Sequence, residues 1–315
     1  LEHLPQVDVA HHAAVGQDHV FLLGELQKVH GGVQRLQLTP VAAHMAGGKG
    51  SQIFQAAFFH LQVPLLAGAD VVPVDIGVAV PVTVGKILQR NIRRGTADLA
   101  VEPAMSRAEC ERAILVGVEV VKDLVDQGYR LLATGEMGIG NTTTSAAVAS
   151  VLLGREAEEV TGRGAGLSTE GLRRKVDAIR RGIAVNRPDA SDPVDTVSKV
   201  GGLDIAGLMG VFLGGALYHV PVLIDGFISS VSALAAARLC PAALDYMLAS
   251  HASNEPAGKM VLEALGLEPF LYARMCLGEG TGAVAVIPLL DMALAMYREM
   301  SSFSDINIDA YEHLT

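Results

Sequence analysis

The sequence predicts an α/β protein built on a mostly parallel sheet flanked by helices. Three observations carry that reading. Short apolar runs alternate with longer segments of helical pattern, the alternation that builds parallel sheets. The runs end in Asp or lead into glycine-rich loops, and such loops at carboxyl ends of strands are where ligands bind. Half of the 315 residues are apolar, enough for a sizeable core in one large domain or two modest ones.

The elements follow in chain order. ADVVPVDIG (69–77) reads as a strand, although Pro73 withholds one ladder donor. After a loop, Ser106 and Glu109 have the spacing of a capping box. The apolar positions Ala113, Leu115, Val116, Val120 and Leu124 then predict a helix to about Gln127, stopped by Gly128. YRLLAT (129–134) is a second strand, and a helix of small residues runs on to Gly154. An amphipathic helix over 168–186 is capped by Ser168 or Thr169, and a short one starts with Pro193 in its first turn. Residues 228–240 and 255–266 read as further helices. The last helix, 281–300, is apolar nearly all round and is therefore expected to be buried.

Ile205–Ile224 carries no formal charge and has the length of a membrane span. It also holds four glycines, His219 and Pro221, and Asp204 and Asp225 flank it. The reading is a buried helix, a turn and a buried strand, with no membrane partner. The net charge of −10 and the absence of a basic stripe argue against a nucleic-acid partner. Cys110, Cys240 and Cys276 are scattered and odd in number, which fits a reducing compartment and no metal cluster. The N-terminus lacks the pattern of a secretory signal, so a cytoplasmic protein is expected.

Residues 1–65 differ from the rest. They hold seven of the ten histidines, eight of the ten glutamines and only seven charged residues. No clean period emerges, and 41–52 reads as a loop. The boundary is set at 65/66, with an atypical segment before it and the α/β domain over 66–315.

Three stretches suggest chemistry. GEMGIGNTTT (135–144) places glycines between a strand and a helix, where backbone N–H groups favour an anion. It has neither the Gly-Lys-Ser/Thr of a Walker loop nor the GxGxxG of a dinucleotide fold. A tight turn is the alternative reading. Glu136 argues against a simple phosphate cradle, since it would repel the phosphate; it suits sugar hydroxyls or heterocycle N–H groups. In LGEGTGA (277–283), Glu279 is again held between glycines before a helix. Desolvation at the mouth of the sheet would raise its pKa and suit a general base, or it is simply a helix N-terminal acid. In SHASNE (250–255), Ser and Asn would cap a helix or bind phosphate, and His251 reads as structural. Lys175 lies in the basic run RRKVDAIRR.

GEMGIGNTT, KVDAIRR, KVGGLDIAGLMG, PVLIDGF, SHASNE, LEALGLEP and LGEGTGA, in this order, resemble the nicotinate-nucleotide–dimethylbenzimidazole phosphoribosyltransferase family over about Gly68 to Tyr297. The resemblance implies a Rossmann-like sheet with a smaller helical subdomain from the chain ends. It implies transfer of the phosphoribosyl group of nicotinate mononucleotide to 5,6-dimethylbenzimidazole, giving α-ribazole 5′-phosphate and nicotinate in cobalamin lower-ligand assembly. It further implies Glu279 as general base and a nucleotide loop of Glu136, Gly138, Ile139 and Asn141. Lys175 would bind the substrate, Ser253 would lie near the phosphate, Leu277 beside the base, and Gly278 and Gly280 around Glu279. It implies a homodimer, with no cofactor and no metal. The family's usual motifs are missing from residues 1–65, whose composition fits an inverted or misassembled gene segment. The alternative is a nucleotide- or benzimidazole-binding homologue impaired in catalysis, or a transferase acting on another azole or phenol.

Overall fold

A computed structural model of the chain describes the backbone of residues 34–41, and residues 67–80, 87–138, 140–164, 166–303, 305–307 and 309. Most of the atypical N-terminal segment, including its predicted loop after Val41, and Ile139 of the nucleotide loop lie outside the described residues.

Among the described residues, six strands form one parallel sheet: β1 (Gln34–Val41), β2 (Ala69–Asp75), β3 (Leu88–Gln89), β4 (Tyr129–Thr134), β5 (Val222–Ile224) and β6 (Met247–Ala249). Their order is β3-β2-β1-β4-β5-β6. This is the doubly wound arrangement, and its direction of winding reverses between β1 and β4. β1 is a correction to the sequence reading, which found no element in 1–65. β3 and β6 were also missed. β3 pairs only with Val74 and Asp75, so it starts just past Pro73.

The helices are α1 (Arg107–Asp126), α2 (Asn141–Leu153), α3 (Ala157–Val160), α4 (Thr169–Asn186), α5 (Pro193–Val200), α6 (Leu203–Leu217), α7 (Phe227–Leu239), α8 (Pro256–Leu265) and α9 (Thr281–Glu299). The capping box at α1 forms as predicted: the Glu109 N–H donates to Ser106 Oγ at 3.2 Å and the Ser106 N–H to Glu109 Oε2 at 2.9 Å. Ser168, not Thr169, caps α4, accepting from the Gly171 N–H at 3.1 Å. Asp192 caps α5 through the Val194 and Asp195 N–H groups.

The uncharged stretch 205–224 is a buried helix, a turn and a strand. Its glycines allow α6 to lie directly on α1. A Cβ on Gly207 would meet Ile76, but one on Gly210 would lie 1.9 Å from the Ile114 carbonyl oxygen. Reciprocally, a Cβ on Gly117 of α1 would lie 2.1 Å from the Gly207 carbonyl.

Strand alternation sorts the core into two faces. Leu132, Val222 and Ile224 join the large cluster under α1, α2, α6 and α7. Leu131, Ala133 and Leu223 point the other way, onto Ala283, Val284, Val286 and Ile287 of α9. The expectation that α9 is buried all round is corrected. Its first half covers the sheet, whereas Leu289, Met292, Met296 and Tyr297 are exposed. It is long and apolar enough to cross a membrane, yet that inner face is spent on the sheet. The helical subdomain expected from the chain ends involves residues outside those described.

Candidate active site

The loops after β4, β5 and β6 lie at the carboxyl edge of the sheet, next to the point where winding reverses. Thr134 ties the first two together. Its hydroxyl donates to the Leu223 carbonyl at 2.9 Å and accepts from the Asp225 N–H at 3.2 Å.

Asp225 then reaches to the start of α9. Its Oδ2 accepts from the Gly280 N–H at 3.0 Å, and its Oδ1 from those of Gly282 and Ala283 at 3.0 and 3.1 Å. These are N–H groups that a helix leaves without internal partners, here satisfied by a carboxylate from a distant strand end. His251 Nδ1 stands 4.0 Å from Asp225 Oδ1 and 3.0 Å from Ser250 Oγ. A Cβ on Gly282 would lie 1.9 Å from that ring nitrogen, so His251 packs directly on the helix end.

The two Gly-Glu loops meet. A Cβ on Gly135 would lie 2.6 Å from the Gly280 nitrogen and 2.8 Å from the Glu279 carbonyl carbon. Gly278, Glu279 and Gly280 all have left-handed backbones, with φ of 73°, 57° and 82°. For glutamate this conformation costs about 1 kcal/mol or more, and such strain clusters at functional sites. The Gly278 carbonyl accepts from the Thr281 N–H and hydroxyl, at 3.0 and 2.7 Å, which holds the turn.

Burial separates the two glutamates against expectation. Glu136 is 6% exposed, whereas Glu279 is half-buried. Desolvation therefore falls on Glu136, whose carboxyl is pushed up to about 8, with Asp204 and then Asp225 adding repulsion. The Gly138 N–H, at 3.0 Å, and the Asn141 side-chain amide both donate to Glu136 Oε2 and partly offset the rise. The carboxylate thus turns back onto donors of its own loop. Asp204, at the start of α6, is pushed up to about 6 by burial.

Lys175 is buried, and its ammonium donates to Thr142 Oγ1 at 3.0 Å and to the Gly162 carbonyl at 2.9 Å. Burial lowers its pKa, and Glu255 opposes that shift. Ser253 Oγ accepts from the Glu255 N–H at 3.3 Å and lies 3.9 Å from where a Gly226 Cβ would stand. The predicted residues are therefore linked around one edge of the sheet: Glu136 to Asn141, Thr142 to Lys175, Ser253 to Gly226, and Gly280 to Gly135. Leu277 is 55% exposed at the rim. The sequence reading missed Asp225, Asp204, Thr142 and Glu255. Asp204 was noted only as a flank of the apolar stretch, and Asp225 as its other flank and the start of a loop (225–227) at a strand's carboxyl end, without a role of its own.

A doubly wound parallel sheet with a glycine loop and buried carboxylates beside its switch point is the frame of a nucleotide-handling enzyme. The family model described as "Phosphoribosyltransferase" matches residues 62–308. The chain is 51% identical over 245 residues to nicotinate-nucleotide–dimethylbenzimidazole phosphoribosyltransferase of Acetivibrio thermocellus, covering 78% of this chain and 70% of that one. It is 48% identical over 246 residues to the enzyme of that name from Ruminiclostridium cellulolyticum, covering 78% and 70%. The crystal structure of CobT from Thermus thermophilus matches with a TM-score of 0.83 and 36% identity, over 92% of this chain and 91% of that one. The chain belongs to the nicotinate-nucleotide–dimethylbenzimidazole phosphoribosyltransferase family.

Proposed function

We infer that this chain transfers the phosphoribosyl group of nicotinate mononucleotide to 5,6-dimethylbenzimidazole, giving α-ribazole 5′-phosphate and nicotinate. Family membership at this identity supports the reaction. The observation that supports the site is the packing of Gly135 against the Glu279–Gly280 peptide, which makes two glycine loops one edge.

In this reading Glu279 is the general base. Nicotinate leaves from a pyridinium and becomes neutral at nitrogen, so it needs no acid. The incoming benzimidazole attacks C1′ through one ring nitrogen and loses the proton on the other, which Glu279 accepts. Attack opposite the leaving group inverts the β-nucleotide to an α-riboside. Glu136, Gly138, Ile139 and Asn141 hold the nucleotide, with Glu136 directed to ribose hydroxyls or ring nitrogens. Lys175 and Ser253 hold the phosphate, and Leu277, Gly278 and Gly280 border the benzimidazole. Cytoplasmic location and a homodimer belong to the same reading. The exposed apolar row along α9 supports self-association, which sedimentation of the purified chain tests.

The experiment is nicotinate release from nicotinate mononucleotide plus dimethylbenzimidazole, with Glu279→Gln alongside. Turnover by the wild type that disappears in the variant supports both reaction and base. Binding of the nucleotide without turnover by the wild type favours the impaired homologue.

A further inference from the structure

Glu255 stands at the N-cap of α8 without capping it by its side chain. Its Oε2 is buried and has no hydrogen-bond donor among the described residues. A buried carboxylate oxygen left without a donor is costly, so its position needs a reason. Gly162 supplies part of it: a Cβ there would lie 1.9 Å from that oxygen. The carboxylate therefore lies against Gly162, the residue whose carbonyl holds the Lys175 ammonium at 2.9 Å.

Two groups hold that ammonium by hydrogen bonds, and a third acts on it by charge. The Thr142 hydroxyl comes from α2 and the Gly162 carbonyl from the loop before α4, and both are neutral. Glu255, from the start of α8, is the charged one. Lys175 is 6% exposed, and a lysine that buried needs an opposite charge to stay protonated.

We propose that Glu255 is a positioning residue that keeps Lys175 charged and seated on the Gly162 loop, ready for the phosphate of the nucleotide. The carboxylate does so through the peptide of Gly162 rather than by direct pairing. The arrangement presets the cation while leaving its remaining donor free for an incoming anion, since a direct ion pair would compete with the phosphate. That last step rests on Lys175 being the phosphate-binding cation.

The test follows the titration of Lys175 by NMR of the full chain labelled at lysine Cε, with Lys175→Ala used to assign its signal. In Glu255→Gln the midpoint moves to lower pH than in the wild type. Gly162→Ala keeps both charges but drives the carboxylate away, and the midpoint moves the same way. Nicotinate mononucleotide affinity, measured calorimetrically, weakens about tenfold in Glu255→Gln, the size of one charge-assisted contact. The loss grows with alkalinity and falls on KM for the nucleotide more than on kcat. Glu255→Asp restores part of it. An unmoved Lys175 midpoint in both Glu255→Gln and Gly162→Ala overturns the proposal. If the midpoint moves but Lys175→Ala binds nucleotide normally, the coupling stands and the phosphate role of Lys175 fails instead.

Discussion

The α-carbon of Gly135 faces the peptide joining Glu279 to Gly280 so closely that a Cβ would lie 2.6 Å from the Gly280 nitrogen. Backbone meets backbone there, and neither side can yield by turning a side chain. Gly135→Ala must therefore move one loop. We expect nicotinate release to fall about a hundredfold, the usual consequence of a displacement near 1 Å at reacting groups. Thermal unfolding should still be cooperative, because the core beneath is untouched. Normal turnover by Gly135→Ala would mean the two loops do not work as one site.

Glu279 offers a paired experiment, because its function and its strain are separable. Glu279→Gln retains the left-handed backbone and removes the base; kcat should drop about 10²- to 10⁴-fold. Glu279→Gly also relieves a φ of 57°, so it should gain about 1 kcal/mol of stability while losing the same activity. Denaturant midpoints of the two variants distinguish these effects. A less stable Gly variant would show that Glu279 contributes packing that outweighs its backbone cost.

The buried carboxyls set a pH dependence. Glu136 lies at about 8 against an ordinary 4.5, and Asp204 at about 6 against 3.8. Both acids bind protons more tightly when folded. Their contribution to stability is complete below about pH 4 and is lost as pH rises through 6 and then 8. The melting temperature should fall from pH 5 to pH 8.5, each tenfold gain in proton affinity on folding being worth about 1.4 kcal/mol. Glu136→Gln should flatten most of the slope between pH 6 and 8. A variant whose curve runs parallel to the wild type would assign the slope to other groups.

Asp225 accepts from three N–H groups at the start of α9. Asp225→Asn turns an amide donor toward donors and removes the charge. A loss of about 2 kcal/mol is expected, with faster amide exchange at Gly280, Gly282 and Ala283. Uniform exchange across the molecule would show that α9 is anchored by its apolar face alone.

Much of the architecture was legible in the chain. Ser106 with Glu109, Gly128, Gly154 and Pro193 mark helix ends by local chemistry, and local chemistry can be read without a fold. The strands Ala69–Asp75 and Tyr129–Thr134 likewise announced themselves by apolar runs and the loops that follow. β1 did not. Leu36 and Leu38 alternate with polar residues, whereas a central parallel strand usually shows a continuous apolar run. β3 and β6, with two and three residues, are too short to carry a period.

Residue types alone were enough to place glutamates in glycine loops and to group the motifs of one family. What the sequence could not assign was burial, because burial depends on what other segments bring. Glu279 was expected to be the desolvated acid; it is half-buried, whereas Glu136 is buried, and α6 and the end of β5 add the charges of Asp204 and Asp225 to the rise of that carboxyl. α9 looked buried all round, yet one sheet face can cover only one side of a helix. The joining of Gly135 to Gly280, and of Glu255 to the lysine through Gly162, links segments far apart in the chain. Only the winding of the sheet brings them to the same edge.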